Sequence, residues 1–268
     1  MAGWYNEIMN TLLKPKNRLL YVDLLRAFAI FTMVIIHVIY QLGFIFLDLW
    51  QDLGFNTNEN ILLFCAKCAD FHFSNEAFLL NMLFCSGIFM FLSGYSTNLS
   101  SRLYIKALKL SILALLITLF TSIASEILNV EMTIKFGIIH FFAIATFLAI
   151  LLKKSNSITL ILFIIVTFTL GSIMRLTEVD NSFLAILGFY DSTFVTADYY
   201  PIFPNIAIFA TGMLYGRTIK FKPINLSVGE QRLPALIRPI AFLGRNSLKV
   251  YVTHIFIIAL ILFPIGLI

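Results

Sequence analysis

Charged residues are scarce in this chain. Asp, Glu, Lys and Arg make up 12% of its 268 residues and hydrophobic residues 60%. Soluble domains run near a quarter charged, so that class is excluded. Cysteine is rarer still, at three. Cys65-Ala-Lys-Cys68 has no second ligand pair and Cys85 lies in an apolar run, so a disulfide scaffold is excluded; a lone Cys65–Cys68 bridge stays open. The four histidines form no His-x-x-His or His-x-x-x-His pair, and metal is not expected. Alternating ten-residue segments are missing, which excludes a membrane barrel. No polar linker, low-complexity stretch or internal repeat divides the chain. Residues 1–268 read as one domain, opened by a short cytoplasmic segment over 1–18.

What the chain has instead is long apolar runs. About seven are legible, near 23–47, 78–98, 107–128, 135–152, 157–174, 202–218 and 247–266, each of a length that suits a spanning helix. The expected fold is all-α, a polytopic integral membrane bundle of about seven transmembrane helices. The first run is too long for a cleaved leader and is expected to remain as the first span. Charge sets the orientation. With the N-terminus cytoplasmic, every Lys and Arg except Lys67, Lys135 and Arg175 falls inside, whereas only Glu7, Asp23 and Glu230 of the acidic residues do. This is the positive-inside pattern of a multi-pass plasma-membrane protein. Basic charge spread over inner loops suits anionic lipid heads, and nucleic acid is not expected as a partner.

Against this apolar background the polar residues stand out. The first run carries Asp23, Arg26, His37 and Gln41. An ionisable group at hydrocarbon depth costs at least a few kcal/mol, and a functional role is the default reading. Arg26 and His37 are eleven residues apart, about three turns at ~100° per residue, so they share a face with Ile30, Met33, Tyr40 and Phe44. A cation at the mouth and an imidazole part-way in suggest an anionic cofactor and a proton-transfer step. His140 and His254 lie in the fourth and seventh runs, and each can serve chemistry or bond a neighbouring helix. His72 falls in the first outer loop and is expected at the interface.

Two further stretches carry chemistry. Asp198-Tyr-Tyr-Pro-Ile-Phe-Pro204 sits at the outer mouth of the sixth run. Asp198 can orient a histidine or bind an acceptor amine; Tyr199 and Tyr200 can stack on a sugar or mark the interface. Leu243-Gly-Arg-Asn-Ser-Leu-Lys-Val-Tyr251-Val-Thr-His254 leads into the seventh run from the inside. Its Arg245, Asn246 and Ser247 offer either a phosphate site at a helix start or a basic anchor with a cap. Ser93-Gly-Tyr-Ser96 reads mainly as helix packing.

The opening Arg18-Leu-Leu-Tyr-Val-Asp23-Leu-Leu-Arg26, followed by His37, resembles the arginine-to-histidine signature of the transmembrane acyltransferases. Phe91-Leu-Ser-Gly-Tyr-Ser96, Phe136-Gly-Ile-Ile-His140, the Asp198 block, Gly212-Met-Leu-Tyr-Gly216 and the closing block follow in the order of the heparan-α-glucosaminide N-acetyltransferase-like family of prokaryotes. Ala27 replaces the family's usual glycine after the signature arginine. The resemblance implies transfer of acetyl or another short acyl group from cytoplasmic acetyl-CoA (acyl-CoA) to the amine or hydroxyl of a sugar or glycan acceptor at the outer face. It implies His37, His140 and Asp198 as catalytic residues. Arg18, Asp23, Arg26, Arg245, Asn246, Ser247 and His254 are implied around the cofactor, and Tyr40 and Tyr199 around the acceptor. It is compatible with a homodimer. A small-solute transporter and a non-catalytic membrane subunit stay open as alternatives.

Overall fold

The computed structural model describes residues 17–18, 20–219, 224–225 and 237–267. Glu7, Lys14, Lys16, Lys220, Lys222, Glu230 and Arg232 of the charge pattern lie outside the described residues.

Among the described residues the regular elements are helices, apart from a two-residue antiparallel pairing of β1 (Asn17–Arg18) with β2 (Ile224–Asn225). Helix α1 (Leu20–Tyr40) passes through a π-helical turn (Gln41–Phe46) into α2 (Leu47–Asp52) without a break. Then follow α3 (Glu59–Ser74), α4 (Glu76–Thr97), α5 (Leu103–Leu128), α6 (Ile138–Leu152) and α7 (Ser157–Arg175). Short α8 (Ser182–Leu187) precedes α9 (Asn205–Thr218), and α10 (Ile237–Arg245) leads into α11 (Ser247–Leu262). Every expected apolar run contains a helix. Five segments are long and apolar enough to cross a membrane, those beginning at Leu20, Glu76, Leu103, Ser157 and Ser247. Their outward faces expose large apolar side chains such as Leu115, Leu162 and Leu260, as a bilayer solvent requires.

Asparagines start several helices. Asn58, Asn75 and Asn156 accept hydrogen bonds from the backbone N–H groups of Asn60, Phe78 and Thr159, satisfying donors that the first turn leaves free. Helix α3 was not among the expected runs. Glu59, Lys67 and Asp70 break its apolar pattern.

The centre of the bundle is set by α4 against α9. A Cβ at Gly94 would strike the Phe209 carbonyl, and one at Gly212 would strike the Phe91 carbonyl. The two backbones therefore touch, as small residues at membrane-helix interfaces allow. Around this crossing lies a core of Met90, Phe141, Leu160, Ile206, Phe209 and Met213.

Helices α6 and α9 are short, 15 and 14 residues. At 1.5 Å per residue they cover about 21–23 Å, less than a hydrocarbon core of ~30 Å. Each is preceded by a loop, 129–137 or 188–204, and the two loops pair with each other. Ala197 N–H donates to the Thr133 carbonyl and Tyr200 N–H to that of Phe136. Protein partners thus satisfy part of the irregular backbone of both loops.

Candidate active site

A cavity of about 710 Å³ runs through the bundle between α1, α4, α5, α11 and the 188–204 loop. One end is lined by Arg26, Lys106 and Ser247, the other by Asp198, Tyr199 and Tyr200, with His37, Gln41 and Tyr251 among the residues between. Its size is that of a pocket for a substantial organic ligand.

The Arg26 end is built from three helices. Arg26 lies 3.6 Å from Asp23 one turn back on α1. Its guanidinium also donates to the Ser96 hydroxyl on α4, which in turn donates to the Leu92 carbonyl at 2.6 Å. The arginine is thus held at the mouth by a carboxylate and a hydroxyl. Lys106, on α5, adds a second cation to the wall.

His37 lies in the middle, half-buried. Its Nδ1 is 2.8 Å from the Met33 carbonyl. A carbonyl only accepts, so in the neutral ring Nδ1 carries the proton and Nε2 is the basic nitrogen. His254 stacks edge-on against it with ring centroids 4.7 Å apart. The Nδ1 of His254 faces the carbonyls of Tyr251, at 2.6 Å, and Val250, at 3.2 Å, which fixes the same tautomer. Its Nε2 is buried and, among the described residues, has no hydrogen-bond partner.

Asp198 closes the other end. Its Oδ2 accepts from the Ile138 N–H at the start of α6, at 3.0 Å, and from the Tyr251 hydroxyl at 3.4 Å. A carboxylate at a helix N-terminus is favoured by the free amides and the helix dipole. A Cβ at residue 137 would strike that oxygen, so the approach needs Gly137. Burial raises the Asp198 carboxyl above its ordinary range; the Ile138 N–H and the charge of His37 pull it down.

The expected residues divide. Arg26, His37, Tyr40, Asp198, Tyr199 and Ser247 line the cavity. Asp23 stands behind Arg26. His254 meets His37 rather than the cationic end. The expectation of a catalytic His140 meets a ring whose nitrogens are both engaged. Nδ1 accepts from the Gly137 N–H at 3.2 Å, and Nε2 lies 2.9 Å from the Thr118 hydroxyl, whose own proton goes to the Ile134 carbonyl. His140 holds the start of α6 and is not among the lining residues. Arg245 and Asn246 bond back to the Ala241 and Phe242 carbonyls of their own helix, and neither lines the cavity. Arg18 lies in β1, and its side chain is outside the described part. The interfacial placement of His72 is corrected: it is buried on α3 against Tyr40 and Phe44, and it lines the cavity.

Gln41 and Tyr251 were legible as polar groups in apolar runs and Lys106 only as one of the inner basic charges, yet only the packing brings them to one wall. Among the described residues no cluster of three or more His, Cys, Asp or Glu side chains forms a metal-binding group.

A multi-pass helical membrane protein with an internal cavity reaching from a cationic end to an acidic one is the class that the fold and site define. The catalytic-domain family described as "Heparan-alpha-glucosaminide N-acetyltransferase, catalytic" matches residues 18–256, and the chain belongs to that family. It is accordingly a transferase, a membrane acetyltransferase. No curated protein and no solved structure matches it.

Proposed function

We propose that the protein takes acetyl or another short acyl group from acyl-CoA, bound from the cytoplasmic side, and passes it to an amine or hydroxyl of a sugar or glycan at the outer face. The observation that carries this reading is the single cavity joining Arg26 and Lys106 to Asp198 past His37.

Each wall fits one part of the reaction. Arg26, Lys106 and Ser247 suit the phosphates of the donor, where cationic and hydroxyl donors give charge-assisted bonds. Met33 and Ile36 give an apolar passage for its extended arm. Asp198 and Tyr199 face the acceptor. In this reading Nε2 of His37 takes the proton from the acceptor as its nitrogen or oxygen attacks the thioester carbon. The C–S bond then breaks, and the same proton passes to the departing thiolate. His254 packs against His37 and fixes the ring's orientation. The intramembrane setting keeps water from the thioester.

The test is CoA release by the purified protein given acetyl-CoA and a glucosamine acceptor. Wild type is expected to release CoA only with acceptor present. His37→Ala is expected to lose roughly 10²- to 10⁴-fold, the usual contribution of a positioned base, while still binding acetyl-CoA. Equal release from both proteins would remove His37 from the chemistry. Failure of wild type to bind acetyl-CoA would end the donor assignment.

A further inference from the structure

Gln41 is one turn beyond His37 on α1 and is 3% exposed. It lines the cavity, and its carboxamide makes no hydrogen bond to another described residue and opens to that space. A carboxamide carries two N–H donors and an acceptor oxygen, so one that faces a cavity without a protein partner is available to whatever occupies it.

The backbone at this position is also unusual. Gln41 opens the π-helical turn Gln41–Phe46. At ~100° per residue an unbroken α-helix would carry Ile45 about 80° round from His37. The wider i→i+5 turn underwinds that step, so Gln41 and Ile45 both remain on the cavity wall with His37. Such π turns recur at functional sites. Gly43, within the turn, packs against the Ala69 backbone of α3, and a Cβ there would stand 2.7 Å from the Ala69 nitrogen. The turn is therefore clamped by its neighbour.

We propose that the Gln41 carboxamide donates a hydrogen bond to the acyl carbonyl oxygen of the donor and holds it as it becomes an oxyanion. The inference rests on the acyl-transfer reading above. When the acceptor attacks the thioester carbon, the C=O π pair moves to oxygen, and the Gln41 N–H group stabilises that charge. The pair returns as the C–S bond breaks, with the proton held by His37 going to sulfur. The placement fits: the base and the oxyanion donor flank the reacting carbon from successive turns of one helix. The donor enters from the Arg26 end and the acceptor from the Asp198 end. A preorganised amide in a water-poor site is well suited to developing charge.

The test has two readouts, on wild type, Gln41→Leu and Gln41→Glu. The first is the infrared stretch of acetyl-CoA labelled with ¹³C at the thioester carbonyl, bound to the protein, which needs no turnover. A downward shift is expected in wild type and its absence in both variants. The second is acceptor-dependent CoA release, where kcat is expected to fall roughly 10²- to 10³-fold with KM little changed. Melting temperatures for Gln41→Leu are expected to stay close to wild type, because no hydrogen bond to the protein is removed. If acetyl-CoA binds and its carbonyl band is the same in all three, the Gln41 assignment is overturned and the donor reading stands. If wild type does not bind acetyl-CoA at all, both fall. A kcat for Gln41→Leu within threefold of wild type would also sink the assignment.

Discussion

At the scale of single residues the site is a set of side chains whose protons are already assigned by their neighbours. His37 and His254 both point Nδ1 at carbonyls of their own helix, so each keeps Nε2 as its basic nitrogen. Asp198 is the opposite case, a carboxyl whose burial disfavours its charge. The sign of its pH effect follows. An unfolded Asp titrates near 3.9, and the folded state holds its proton to higher pH. The folded protein therefore binds more protons in that window, and its stability falls as pH rises through it. Wherever the carboxyl is ionised, its buried charge is a burden that an amide lacks. Asp198→Asn, which keeps an acceptor oxygen for the Ile138 N–H, is expected to melt no lower than wild type at pH 7, with any gain shrinking toward pH 4. A thermal series across that range decides it. A lower midpoint for the variant at pH 7 would mean that the charged form is the one the fold holds, as a partner of His37. Acyl transfer is expected to fall in either case if Asp198 faces the acceptor.

At the scale of elements, the arrangement depends on a few close approaches. Gly212→Ala places a methyl against the Phe91 carbonyl, and overpacking of this kind costs about 1–3 kcal/mol. Gly87→Ala, on the same helix as Gly94, meets nothing within 4 Å and is expected to be neutral or to gain up to about 1 kcal/mol of helix propensity. Thermal unfolding of the two variants in detergent checks the pair; equal midpoints would mean that the α4–α9 contact yields without strain. This contrast also explains what the sequence could and could not say. Runs of Leu, Ile and Phe announce helices directly, so all seven apolar runs contain one. Helix α3 was hidden because Glu59, Lys67 and Asp70 interrupt its pattern, and with it His72 was misplaced. The π turn has no compositional signal, since Gln41–Phe46 reads as more of the same helix. Arg26 and His37 were legible because one helix face relates them. Lys106, Gln41 and Tyr251 come from three helices, and their meeting is a product of tertiary packing that no local spacing encodes. His140 illustrates the converse: an imidazole in an apolar run is a genuine anomaly, but here Thr118 and Gly137 absorb it.

At the scale of the whole molecule, charge separates the two ends. Basic residues gather at the Arg26 end and also do local work there. Lys153 donates to the Thr97 and Ser100 carbonyls, and Arg217 to those of Leu152 and Ser155, satisfying carbonyls that helix C-termini leave free. Acidic residues such as Glu131, Asp180 and Asp198 lie at the other end. In the transfer proposed above, with donor and acceptor on opposite sides, this polarity decides which end meets the donor. The orientation expected from the positive-inside rule would put the Arg26 end in the cytoplasm, on the side proposed for acyl-CoA. Lys154 and Asp180 lie beyond opposite ends of α7, and both are exposed. The three native cysteines are buried, so background labelling is expected to be low. On intact cells a membrane-impermeant maleimide is expected to label Asp180→Cys but not Lys154→Cys, and to label both after permeabilisation. The reverse pattern would place the cationic end outside, separating Arg26 and Lys106 from cytoplasmic acyl-CoA, and the direction of transfer argued above would fall with it.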